Sequence, residues 1–281
     1  MITRRLILTC AALPFLAASG FAADLPSKIT IATEGAYAPW NFTNPDGTLG
    51  GYEIELTKLL CERMKVECTV IAQEWNGIIP GLNVGKYDAI IASMGVTEER
   101  KKVVAFSKPY ARAPNGFLTT SSNALKDLPD AGSSFDLSQS PDKAEAALSA
   151  VSEQIKGKVV GVQTGSTAAT FAREYLASAD IREYPTFDQL TLELNAGRID
   201  LAVANVTVFK AAIDGSQGAL VLSGPSFSGG VLGLGTTNVA LREKDEALRK
   251  AFDDAITAVN KDGSNEALTK KWFGVDISIH E

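Results

Sequence analysis

The chain has 281 residues, with 27 basic and 33 acidic side chains, one histidine and a formal charge of −6. An acidic balance without a basic stripe excludes nucleic acid as the partner, because no row of cations is offered to phosphates. The length suffices for two modest lobes or one large domain.

Arg4 and Arg5 precede an apolar run from Leu6 to Ala18, and small residues follow at Gly20, Ala22 and Ala23. A basic start, an apolar stretch and a small-residue exit read as a secretory signal peptide over residues 1–22, cleaved near Ala22 and Ala23. The run is shorter than the about 20 residues that a membrane span needs. A lipoprotein signal at Cys10 is the alternative, with Thr9 a poor residue before a lipidated cysteine. Losing Arg4 and Arg5 with the leader takes the formal charge from −6 to −8, which suits a cationic ligand.

Strands and helices then alternate. Residues 28–32 form a β-type run, and Tyr52, Leu56, Leu59, Leu60 and Met64 trace one face of a helix over 52–64. Cys61 ends that helix and Cys68 opens the next strand. Two cysteines seven apart in an exported chain read as a disulfide, the alternative being two buried thiols. A helix start near Trp75 and an apolar strand over 87–92 follow. The pattern weakens between Thr119 and Gln154, where Ser, Asp and Ala dominate before a helix over 144–155. It resumes with a strand over 158–162, a helix over 167–176, a strand over 200–204 and an amphipathic helix over 247–261. Apolar strands separated by helices indicate α/β units with largely parallel sheets. Gly85-Lys86 and Gly197-Arg198 each stop a helix just before an Asp-led strand. One such piece per unit suggests two lobes of similar architecture.

Catalytic machinery is hard to find. The one histidine, His280, is next to the last residue, so Ser-His-Asp, Cys-His and Cys/His metal sites lack their histidine. No phosphate loop or dinucleotide fingerprint occurs. The glycine-rich run 229–235 has no helix after it at the required point. A glycosidase-type carboxylate pair stays possible, though nothing singles one out. No cofactor and no metal are expected.

Polar groups instead gather at strand ends, where ligands bind in parallel α/β sheets. Glu34 with Tyr37 and Trp40 follows the first strand. A carboxylate beside aromatics can hold a cationic head, and a solvated acid with core aromatics is the plainer reading. Ser93, Met94, Gly95, Thr97 and Arg100 follow the third strand and offer a carboxylate site, or an ordinary helix cap with a surface arginine. Gln163, Ser166 and Thr167 hold the equivalent place in the second unit. Trp75 offers an apolar wall.

These stretches carry a family resemblance. The motifs are the Glu34–Trp40 loop, Gly51-Tyr52-Glu53-Ile54-Glu55-Leu56, Cys61 with Cys68, Ile78-Ile79-Pro80-Gly81-Leu82 and Lys86-Tyr87-Asp88-Ala89-Ile90. Further along are Ser93 through Arg100, Phe106-Ser107-Lys108-Pro109-Tyr110, Gly161 through Thr167 and Lys271-Trp272-Phe273-Gly274. Together they resemble, across essentially the whole mature chain, the periplasmic amino-acid-binding proteins of ABC importers, in the branch for basic amino acids and opines.

The resemblance implies an α/β, two-lobed type II periplasmic-binding-protein fold with a two-strand hinge. Residues 23–115 and 222–281 would form the first lobe and 116–221 the second. It implies a small-molecule ligand, a membrane permease as partner, a monomer in the periplasm, and no catalysis. Arg100 would grip the ligand carboxylate with Ser93, Gly95 and Thr97. Tyr37 and Trp75 would flank the stem, Glu34 would meet the cation, and Ser166 and Thr167 would reach in from the second lobe.

One departure sets the ligand expectation. Relatives that bind plain amino acids usually have an Asp where this chain has Asn205. A neutral amide weakens the grip on a primary ammonium and offers N–H donors to a second carboxylate. Gln163 adds another neutral donor, and the extended segment around 129–153 resembles the opine binders. The expected ligand is therefore an opine of arginine, octopine- or nopaline-like. Free arginine, lysine, ornithine or histidine is the alternative, and a secreted cyclohexadienyl-dehydratase-like enzyme is a further one.

Overall fold

Residues 25–280 are described by a computed structural model. The expected leader, 1–22, lies outside the described residues. The first part of the chain comprises β1 (Lys28–Thr33), β2 (Ala36–Tyr37), β3 (Asn41–Thr43), β4 (Leu49–Gly50), α1 (Tyr52–Met64), β5 (Glu67–Ala72), α2 (Ile78–Asn83), β6 (Ala89–Ile90), α3 (Glu98–Lys101) and β7 (Ala105–Arg112). The middle holds β8 (Asn115–Thr120), β9 (Ser134–Asp136), α4 (Pro141–Gln154), β10 (Val159–Gln163), α5 (Thr167–Tyr175), β11 (Asp180–Tyr184), α6 (Phe187–Asn195), β12 (Leu201–Asn205), α7 (Val206–Gly215) and β13 (Leu220–Ser228). The chain closes with β14 (Thr236–Leu241), α8 (Glu246–Lys261) and α9 (Ser264–Phe273).

Two main sheets result. The first runs β5-β1-β6-β14-β7 and the second β11-β10-β12-β8-β13-β9. In each, three consecutive strands pair in parallel, as apolar strands joined by helices require, and the second sheet adds a parallel β13–β9 pair at its edge. The strands next to them, β14 and β8, pair antiparallel. Antiparallel pairs enter each sheet where the chain changes sheet, through β7–β8 and β13–β14. The second change falls later than expected. β13 stays paired with β8 and β9 up to Ser228, so the crossing is over 229–235 rather than at 221–222. The first falls between β7 and β8, with Asn115 already in the second sheet.

Helix faces follow their apolar spacing. α8 buries Leu248, Phe252, Ile256 and Val259, each contributing about 1.5–3 kcal/mol by leaving water. Gly85 and Gly197, the matched helix stops, both take left-handed φ, +79° and +68°. The weakly patterned region beyond Thr119 becomes a short turn at 124–127, β9 and α4. Its Leu125, Leu128, Leu148 and Val151 seal the far side of the second sheet. Cys61 and Cys68 are disulfide-bonded, tying the end of α1 to β5.

Trp40 takes the plainer of its two expected places. It is fully buried against Tyr52, Tyr110 and Phe273, and its Nε1 donates to Thr207 Oγ1 at 2.6 Å. An indole buries its area best with a partner for its one N–H, and Thr207 of α7 supplies that partner. Trp40 therefore joins the two sheets' surroundings and leaves Tyr37 as the aromatic of that loop facing the cleft.

Candidate ligand-binding cleft

Between the two sheets lies a narrow cleft with a free interior volume of about 50 Å³. Glu34, Tyr37, Trp75, Ser93, Gly95 and Arg100 line it from the first lobe, and Gln163, Ser166, Thr167 and Asn205 from the second. The strand ends bring these residues together, since each follows or ends a strand.

Ten of the twelve expected residues meet there, and two do not. Met94 is fully buried in the apolar cluster of Ile78, Leu82, Tyr87 and Val104. The chain bends at Ser93, whose φ is +49°, and the next residue, Met94, turns into the core. Thr97 caps α3, its Oγ1 accepting from the Arg100 N–H at 3.2 Å, and faces a neighbouring groove.

Arg100 is held from three directions. Its guanidinium donates to Gly95 O at 2.9 Å and, across the cleft, to Gly165 O at 3.4 Å, and lies 5.2 Å from the Trp75 ring. Burial lowers its pKa to about 10, which leaves it charged at neutral pH. A buried cation met by carbonyls and an aromatic face is poised for an anion.

Glu34 sits at the other end. Gln163 Nε2 donates to Glu34 Oε1 at 2.6 Å and to Pro185 O at 3.2 Å. Burial pushes the Glu34 carboxyl up to about 7; the Gln163 bond opposes this, while Asp188 and Glu53 add to it. A cation arriving beside Glu34 would restore its charge. The Gln163 amide is thus engaged with Glu34, rather than held out as a donor to a ligand carboxylate as expected.

Asn205 ends β12 and caps α7. Its Oδ1 accepts from the Thr207 N–H at 3.0 Å and from Thr207 Oγ1 at 2.9 Å. A backbone N–H can only donate, so this atom is the oxygen and the amide nitrogen faces the other way. That nitrogen is 3.5 Å from Ser93 Oγ across the cleft.

The structure adds residues that sequence reasoning missed. Asn115 opens β8 directly opposite Asn205 in the antiparallel register and lines the cleft. Thr236 and Thr237 enter from β14. The glycine run 229–235, set aside for want of a following helix, contributes Leu232 and Gly235. Only its position as the second crossing between sheets reveals that role.

A family model for bacterial extracellular solute-binding proteins, family 3, matches residues 29–275. The chain belongs to this family. Among its relatives, the octopine-binding periplasmic protein of Rhizobium meliloti is 42% identical over 96% of this chain and 98% of its own. The L-arginine-binding protein of Pseudomonas aeruginosa is 32% identical over 96% of both chains. Among solved structures, a periplasmic His/Glu/Gln/Arg/opine family-binding protein from Silicibacter pomeroyi, in complex with lysine, superposes with a TM-score of 0.70 at 29% identity. That match covers 90% of this chain and all of the other. As a family 3 solute-binding protein, the chain has the two-lobed α/β architecture that its sequence led one to expect.

Proposed function

We propose that this family 3 solute-binding protein is the periplasmic component of an ABC importer and captures an arginine-derived opine, octopine-like in shape, between its lobes. The orientation of Asn205 carries the reading. Its oxygen is committed to Thr207 and its nitrogen is turned to the cleft. A primary ammonium needs acceptors at that point, whereas an amine bearing a second carboxylate arm needs a donor. The relative named as octopine-binding, at 42% identity, supports the same choice.

In this reading Arg100 holds the α-carboxylate with Ser93 and Gly95, and Tyr37 and Trp75 flank the aliphatic stem. Glu34 takes the guanidinium, releasing Gln163, and Ser166 and Thr167 complete the site from the second lobe. One lobe comprises 25–112 with 236–280, the other 115–228, and they close as a hinge about the two crossings. The protein acts as a monomer, exported by its leader, and binds without catalysis.

Calorimetric titration with octopine, nopaline and arginine tests the ligand. Octopine binding at least tenfold tighter than arginine is expected; tight arginine binding with no opine binding overturns the opine. A free basic amino acid is the second reading. It is favoured by the relative named as arginine-binding and by the lysine complex of the solved neighbour.

A further inference from the structure

Glu53 stands in the first turn of α1, fully buried and outside the cleft wall. A carboxylate there is costly unless donors surround it, and three do. Its Oε1 accepts from the Ser93 N–H at 2.6 Å and from the Tyr110 hydroxyl, and its Oε2 accepts from Asn41 Nδ2 at 2.6 Å. Asn41 Oδ1 accepts in turn from the N–H of Gly35 at 2.7 Å, the residue after Glu34. Ser93 has a φ of +49°, a left-handed conformation that a residue with a Cβ keeps only when its surroundings hold it.

We propose that Glu53 is the positioning residue of the cleft: its carboxylate clamps the Ser93 amide, holds that residue left-handed, and so presents Ser93 and Gly95 to the ligand. A branch through Asn41 ties the Glu34 loop to the same carboxylate. The inference rests on the cleft being the binding site. Serine at this position needs the clamp, whereas glycine adopts positive φ without it. The role of Glu53 must therefore depend on what occupies position 93.

The test is a double-mutant cycle read by calorimetry with octopine and arginine as probes. Glu53→Gln should weaken the better-bound probe about tenfold in the wild-type background and less than threefold in the Ser93→Gly background. Equal losses in both backgrounds would reduce Glu53 to a general stabiliser and overturn the proposal. A wild-type chain that binds neither probe would instead overturn the functional reading.

A second measurement needs no ligand. Burial pushes the Glu53 carboxyl up to about 6, with the Tyr110, Ser93 and Asn41 bonds opposing. Glu34, Tyr37, Tyr52 and Tyr110 are the titratable groups that interact with it. The tyrosines are held well above their ordinary range, so Glu34 alone of these titrates nearby. In a Glu34→Gln chain, the Ser93 amide nitrogen resonance should step with an apparent pKa near 6. An amide that does not move between pH 5 and about 7.5 breaks the proposed link.

Discussion

Arg100 and Glu34 mark the two charged ends of the cleft, and each is in a state that a ligand would change. Arg100→Ala should lower affinity for octopine more than 100-fold, about 3 kcal/mol or more, because it strands a desolvated carboxylate; unchanged binding in calorimetry removes Arg100 from the site. Asn205→Asp keeps the cap on α7, since either side chain accepts from Thr207. It should move preference about tenfold from octopine toward arginine, measured as a ratio of dissociation constants. The pH response follows from Glu34 and Glu53, whose folded-state pKa values rise from 4.5 to about 7 and about 6. Between those limits the folded protein holds more protons than the unfolded chain, so ligand-free stability falls as pH rises through the window. Asp276 works in the opposite sense, but only below the ordinary aspartate range. The melting temperature without ligand should therefore decline from pH 5 to about 7.5, while affinity for a guanidinium-bearing solute rises over the same interval. A flat affinity profile would separate Glu34 from the cation.

At the scale of elements, α1 organises the first lobe. One face packs Leu56 and Leu60 on the sheet, its first turn places Glu53 under Ser93, and its last turn is bonded through Cys61 to β5. The disulfide closes a short loop, for which chain entropy gives about 2.5 kcal/mol. Cys61→Ser with Cys68→Ser should lower stability by about that amount in denaturant titration and leave octopine affinity within about twofold. A large loss of affinity would mean that the bridge shapes the cleft. Most elements were legible because their apolar spacing is regular: α1, α5, α8 and the strands β1, β5, β10 and β12 all stand where the pattern placed them. The segment between Thr119 and α4 was not, because its buried Leu125 and Leu128 and half-buried Phe135 are too scattered to show a period.

The whole molecule is described with its lobes bridged. Glu34 meets Gln163, Arg100 meets Gly165, and Ser93 meets Asn205, each pair spanning the cleft. All three use groups proposed to hold the ligand, and two of them are long, at 3.4 and 3.5 Å, so a ligand that replaces them with shorter charge-assisted bonds would favour closure. Small-angle scattering should show compaction on adding octopine, with the liganded protein matching the bridged arrangement. An unchanged radius of gyration would argue against hinge closure. At this scale the cleft was partly legible: nine of its residues could be named from strand-end positions and Asn205 from the family resemblance, but Asn115, Thr236 and Thr237 could not. They come from the strands that carry the chain between sheets, and no local pattern says which ends of those strands face each other.

Periodicity, helix stops and cysteine spacing, all local properties, pointed to the alternation of strands and helices, a bridge between Cys61 and Cys68, and polar residues gathered at the strand ends, while Asn205 was singled out by the family resemblance. Which way those residues turn was decided only by tertiary structure. Met94 lies in the core and Ser93 beside it lines the cleft, at a bend whose Ser93 N–H donates to Glu53, forty positions away in the chain. Asn205 offers nitrogen rather than oxygen because Thr207 claims the oxygen. Hydrogen-bond direction depends on partners brought close by folding, and that direction distinguishes a site for an ammonium from one for a second carboxylate.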